Sequence, residues 1–319
     1  MTDPNKPRAV IDKSLLQGIC ALPDDGNKCC FEVLKDRYDV TVAFELIEEV
    51  LARYIGSTGE VRYTHQRLLS VIQDLLQNWM EHPAELVFKQ LVQKETTLDP
   101  WLGPQKRTAL QSIFAELDKE APDLKDWAQK RFREKEERRE MRKRQQRLYK
   151  MAFVKEFLNP PDLATFLENG ILFLCHEMES VDLKMVSLNG YLGSALRRWH
   201  ADCADQIEKA FSEVTFDSLD QTRFTRNYLL AEVLYDLAPI TKLGRPEAEK
   251  SNPLVLSGNQ INNEEDQQYI ACAFACQRLL TCDCGMHKMA NVFTERGLWI
   301  GRSIYIPPGE IERIETILS

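Results

Sequence analysis

Acidic residues stand at four separated places in the chain, each beside a pattern that would fix its position. Asp12 closes the short apolar run RAVID, and Ser14 follows it. Glu45, Glu48 and Glu49 open the helical pattern ELIEEVLARYIG. Asp266 comes after Asn262, Asn263, Glu264 and Glu265, at the start of a second helical pattern. Asp283 lies in RLLTCDCGMHKMA, two residues after Thr281. Carboxylates brought together repel one another and call for a cation. Hard divalent ions such as Mg²⁺ or Mn²⁺ prefer oxygen ligands and are held by a few carboxylates, waters and substrate phosphate. Ions held in this way can orient a phosphate and activate a water. Each acid also has a plainer use: Asp12 suits the N-cap of the helix after it, and Asp266 suits the electropositive start of its helix.

The last stretch offers a second chemistry. Cys282, Cys284 and His287, with Cys272 and Cys276 upstream, contain the residue types of a zinc site. Their spacing suits packing better. Cys272 and Cys276 are four apart within a helical pattern and share a face with alanines, where thiols act as small apolar groups. Cys282 and Cys284 flank Asp283, and on an extended strand they would point away from it. No nucleophile motif supports a Cys–His hydrolase.

The acids can converge only if the elements around them do. RAVID reads as a buried strand and LLQGICAL as a helix after it. LPDDGNK reads as a turn. YDVTVAF is a second strand, and ELIEEVLARYIG the helix after that. From about Tyr54 to Asn252, strand signals nearly vanish and helical patterns succeed one another, among them QRLLSVIQDLLQNWM, AELVFKQLVQKE and RFTRNYLLAEVLYDLA. Alternation then returns. PLVLSG and RLLTCD read as strands, INNEEDQQYIACAFACQ and GMHKMANVFTERG as helices, and LWIGRSIYIP as one or two closing strands. Strand–helix alternation predicts βαβ units and a parallel sheet. Residues 1–52 and 254–319 then form one discontinuous α/β domain, interrupted by an all-helical insertion at 53–253. In such sheets, ligand sites lie beyond the carboxyl ends of the strands, where Asp12 and Asp283 are both expected.

Composition bounds the setting. Hydrophobic residues make up 44% and charged residues 28%, enough to bury a core. No apolar run reaches the roughly 20 residues of a membrane span. The opening MTDPNKPRAV lacks the apolar core of an export signal. The nine cysteines follow no framework and are read as reduced thiols. These features point to a cytoplasmic protein without a membrane partner. Net charge is −8, yet residues 129–150 carry eleven Lys or Arg against four Asp or Glu. That segment is either a solvated helix face or a phosphate-binding strip, for which Arg131, Arg138, Arg142 and Arg147 are the first candidates. Arg197, Arg198, Trp199 and His200 form a smaller cluster. Trp199 there serves helix packing or stacks on a base.

The pieces AVIDKSLL, VTVAFELIEEVL and EEDQQYIACAFACQRLLTCD together resemble the PIN-domain nucleases. In that family the first strand ends in an aspartate with a hydroxyl residue two positions on, as Asp12 and Ser14 stand here. A glutamate follows in the helix after the second strand. A third acid opens a helix with an alanine-rich face, and a strand then ends in Thr-x-Asp, as with Asp266 and Thr281-Cys282-Asp283. The resemblance covers about 118 residues, those of the split domain. It implies a three-layer α/β/α fold around a mostly parallel sheet. It implies an endonuclease, RNA ahead of DNA as substrate, and Mg²⁺ or Mn²⁺, one ion or two, held by Asp12, Glu49, Asp266 and Asp283. Glu45 and Glu48 stay open as alternatives to Glu49. Ser14 and Thr281 would support the ligands. A regulatory protein partner and a homo-oligomer also fit the resemblance. The long insertion departs from the family pattern and would position substrate, bind a partner or gate access. Two rival readings are an inactive scaffold that keeps the fold and a structural zinc protein.

Overall fold

The computed structural model describes residues 6–74, 78–117, 191–214, 223–237 and 264–319, with a few isolated positions between 118 and 222. Arg131, Arg138, Arg142, Arg147 and the PLVLSG segment lie outside the described residues.

Four strands form a single parallel sheet: β1 (Arg8–Ile11), β2 (Asp39–Val42), β3 (Arg278–Thr281) and β4 (Arg302–Tyr305), in the order β2-β1-β3-β4. Two strands come from each end of the chain, so the sheet exists only when the ends meet. Ile11 pairs with Val42 on one side and Leu280 on the other, and Thr281 pairs with Tyr305. Ala9, Val10 and Ile11 are all fully buried, as are Leu279, Leu280 and Thr281. Neighbouring side chains on a strand face opposite ways, so both faces of the sheet centre are covered, as parallel sheets require.

Helices provide that cover. α1 (Lys13–Ala21) follows β1, and α2 (Asp24–Arg37) leads into β2. The stretch read from sequence as a turn, LPDDGNK, is instead largely the first turn of α2. Asp24 and Asp25 lie at the electropositive start of that helix, and Pro23 caps it without needing to donate a hydrogen bond. α3 (Phe44–Gly56) follows β2 and runs past residue 52 into the insertion. α4 (Gly59–Asp74), α5 (Pro83–Leu91), α6 (Pro104–Glu116), α7 (Tyr191–Trp199), α8 (Ala204–Glu213) and α9 (Arg223–Leu237) belong to the insertion. Proline occupies the first turn of α5 and α6, where its missing N–H costs nothing. α10 (Glu264–Phe274) leads into β3, and α11 (Cys284–Glu295) connects β3 to β4. Gly297, at φ 68°, lies just past the C-cap of α11, a backbone conformation that favours glycine. A 3₁₀ turn at Pro308–Arg313 and α12 (Ile314–Leu318) end the chain.

The insertion is not all helical. Met80 donates its N–H to Val42 O at 2.9 Å, and an isolated bridge joins Met80 to Trp101. An extended piece of the insertion thus continues beside the end of β2. Trp79 anchors it, fully buried, with Nε1 donating to Ile72 O at 3.3 Å. The insertion also packs onto the rest of the molecule. Asn227 of α9 donates to Leu298 O at 2.7 Å, while within the insertion Thr225 donates to Gln90 Oε1 through its hydroxyl at 2.7 Å. α9 lies against α10, and the apolar core is continuous across both parts of the chain.

Candidate active site

The parallel register brings the ends of β1 and β3 level. Asp12 continues the ladder one step beyond β1, donating its N–H to Leu280 O at 3.1 Å. Its side chain then turns to cap α1, with Oδ1 accepting from the Leu15 N–H at 2.8 Å. Asp283 does the same for α11, with Oδ1 accepting from the Met286 N–H at 2.7 Å. This corrects the expected strand geometry around Asp283. β3 stops at Thr281, and Cys284 is the first residue of a helix rather than the end of a strand. The capping bond is the physical reason, because it starts the helix at once.

Two hydroxyls link the acids. Thr281 Oγ1 donates to Asp12 Oδ2 at 2.6 Å and accepts from the Asp283 N–H at 2.8 Å. Ser14 Oγ donates to the same Oδ2 at 2.7 Å and accepts from the Cys282 N–H at 3.2 Å. Ser14 and Thr281 therefore hold the Asp12 carboxylate from two sides. Asp12 is 1% exposed. Burial penalises its charged form, while the hydrogen bonds from Thr281, Ser14 and Leu15 favour it. Burial wins, helped by the nearby charge of Asp283, and the pKa is pushed up to about 6.

Asp12, Glu49, Asp266 and Asp283 line one cleft of about 210 Å³, with Lys13, Ser14, Gln17, Tyr269 and Met286. The four acids come from the β1–α1 junction, α3, α10 and the β3–α11 junction. The other two glutamates go elsewhere. Glu45 is buried and accepts from His82 Nε2 at 2.8 Å, while His82 Nδ1 accepts from the Ala84 N–H at 3.1 Å. Glu48, also buried, is not among the residues of the cleft. Glu49 makes an ion pair with Lys13. Among the described residues, no group of three or more His, Cys, Asp or Glu side chains is arranged to hold a metal ion.

The cysteines have other surroundings. Cys276 Sγ lies 3.8 Å from Met80 Sδ, and Cys272 is fully buried. Burial pushes the Cys276 and Cys282 thiols up to about 12, and Cys272 is raised well above its ordinary value. None of the three belongs to a group of three or more His, Cys, Asp or Glu side chains arranged to hold a metal among the described residues. His287 sits between Ser303 Oγ at 3.1 Å and Asn291 Nδ2 at 3.0 Å. Burial lowers its pKa, with the Lys288 charge adding to the effect. Trp199 meets the His82 ring edge to face at 4.7 Å, and Arg198 pairs with Glu134 at 3.5 Å.

Lys13, Gln17, Tyr269 and Met286 were not expected at the site. Gln17 follows the expected Ser14 by three positions, and the others neighbour an expected acid. Lys13 adjoins Asp12, and Tyr269 and Met286 follow Asp266 and Asp283 by three positions, so helical spacing was the available signal.

Compared with protein-family models, curated proteins and solved structures, the chain gives no match. No helix among the described residues is long and apolar enough to cross a membrane.

Proposed function

We propose that the cleft is the active site of a divalent-metal-dependent endonuclease acting on RNA, built on a PIN-like three-layer α/β/α scaffold. One observation carries this reading: four carboxylates from four distant elements line a single cleft at the carboxyl edge of a parallel sheet. That edge is where open α/β sheets bind ligands. In this reading the domain is discontinuous, and the helical insertion braces it.

The donor set fits a hard cation. All four acids offer oxygen, and the desolvated Asp12 beside Asp283 is a carboxylate that a positive charge would stabilise in its ionised form. Asp12, Asp266, Asp283 and Glu49 would hold Mg²⁺ or Mn²⁺. Such an ion supplies neutralisation of phosphate charge and acidification of water. The protein supplies the rest. Thr281 and Ser14 aim the Asp12 carboxylate, which limits the rotation it can make. Asp12 and Asp283 also cap α1 and α11, so the frame of the site is fixed by two helix starts. Protonation of Asp12 competes with ligation, so activity is expected to fall as pH drops through about 6.

The test is incubation of a single-stranded RNA, with single-stranded DNA in parallel, in Mg²⁺ or Mn²⁺ and in EDTA. RNA cleavage that EDTA stops, and that Asp283→Asn abolishes without unfolding the protein, is the expected result. No divalent-dependent cleavage of either polymer would replace this reading with that of an inactive scaffold.

A further inference from the structure

The cleft is not uniformly acidic. Lys13 opens α1 and Gln17 lies one turn along it, and both line the cleft. Residues four apart share a helix face. The start of α1 therefore presents an ammonium and a side-chain amide to a space that Asp266 and Asp283 also line. Among the described residues of the cleft, Lys13 is the one cationic side chain. Its Nζ rests on Glu49 Oε1, with the two side chains 20% and 15% exposed.

We propose that Lys13 and Gln17 form the phosphate-binding wall of this cleft. Lys13, which pairs with Glu49, would reach a non-bridging oxygen of the substrate's phosphodiester were Glu49 to serve a cation. The proposal rests on the nuclease reading above. Three physical points support it. A cleft lined by four carboxylates repels a polyanion, so the phosphate needs a cationic contact of its own. A carboxylate oxygen that serves a divalent cation loses its attraction for a neighbouring ammonium, because the two positive charges repel. Lysine's ammonium sits on a flexible four-carbon stem, so it can turn while α1 stays in place. Gln17 adds a neutral donor one turn away, suited to a second phosphate oxygen.

The experiment is binding of a fluorescent single-stranded RNA oligonucleotide to the full chain, read by anisotropy across a salt series. Ca²⁺ replaces Mg²⁺ to suppress hydrolysis, and cleavage in Mn²⁺ is measured in parallel. Lys13→Met is expected to weaken binding at least tenfold and to lower the salt slope by roughly 0.7, the value for one contact to a single strand. Lys13→Arg should restore most of the binding, and Gln17→Glu should weaken it through added negative charge. Thermal unfolding checks that each variant folds. If Lys13→Met does not fold, Lys13→Arg and Gln17→Glu carry the comparison. Unchanged affinity and salt slope in the variants would overturn the proposal. So would weaker binding at an unchanged slope, because Lys13 would then act only through Glu49. A wild-type protein that binds no oligonucleotide also overturns it. Cleavage by wild type with unaffected variants removes this inference and leaves the nuclease reading standing. Lysine-dependent binding without any cleavage does the reverse.

Discussion

Thr281 and Asp12 are 269 residues apart in sequence, yet the threonine hydroxyl donates to the aspartate Oδ2 at 2.6 Å. The same hydroxyl accepts the Asp283 N–H at 2.8 Å. One side chain thus ties the first of the four cleft acids to the backbone of the last, across strands from opposite ends.

Removing that hydroxyl should show on stability and on metal affinity together. Thr281→Val leaves the Asp283 N–H without this acceptor and Asp12 with one donor fewer. A loss of about 1–3 kcal/mol in urea unfolding is expected for buried groups left unpaired. Mn²⁺ affinity should fall roughly 10-fold to 100-fold, as when a partner that orients a ligand is lost. Thr281→Ser keeps the hydroxyl and should recover most of both.

The raised pKa of Asp12 sets a pH trend in metal-free protein. Between its ordinary value of 3.8 and about 6, the folded protein binds the proton more tightly than the unfolded chain. The stability from protonated Asp12 is therefore full below about pH 4 and is lost as pH rises to about 6. The effect is on the order of 3 kcal/mol, at 1.36 kcal/mol for each pH unit of displacement. Asp12→Asn, neutral at every pH, should remove this pH dependence and lie closer to wild type at pH 4.5 than at pH 7.5. The check is urea unfolding in EDTA at both pH values, and an equal pH dependence in the two proteins would refute it. Saturating Mn²⁺ should offset the loss in wild type at pH 7.5.

The glutamates of α3 should separate cleanly by substitution. Glu45 belongs to a buried pair with His82. Glu45→Ala should cost about 1–3 kcal/mol, the usual penalty for leaving a buried donor such as His82 Nε2–H unpaired. Glu49 faces the cleft, so Glu49→Gln should leave the melting temperature nearly unchanged while lowering RNA cleavage at least 100-fold. Cleavage that survives Glu49→Gln in a folded protein but fails in a folded Glu45→Gln would reverse the assignment.

Much of the site was legible because its acids sit where regular elements begin or end. Asp12 follows an apolar strand run, Asp266 opens a helix, and Thr281-Cys282-Asp283 marks a strand running into a helix. The resemblance pointed to Glu49, with Glu45 and Glu48 left open, and of the three it is Glu49 that lines the cleft. Lys13 and Gln17 were not singled out, because a polar face on a short helix looks the same whether it meets solvent or a cleft. Two stretches misled for identifiable reasons. DDGN has turn composition, but its acids also suit a helix N-terminus, and α2 begins there. The pairing of Met80 with Val42 and Trp101 depends on long-range backbone contacts that no local pattern records. The insertion's place against α10 involves buried polar contacts such as Gln268 Nε2 with the Tyr228 hydroxyl at 3.5 Å, which composition does not reveal.

The most direct measurement is anomalous scattering from a crystal of the full chain grown with Mn²⁺. One or two peaks are expected in the cleft, within coordination distance of Asp12, Asp266 and Asp283, with Glu49 turned from Lys13 onto the ion. A cleft without a peak at saturating Mn²⁺, or a peak outside it with the Lys13–Glu49 pair intact, would contradict the assignment of these four acids to one metal centre.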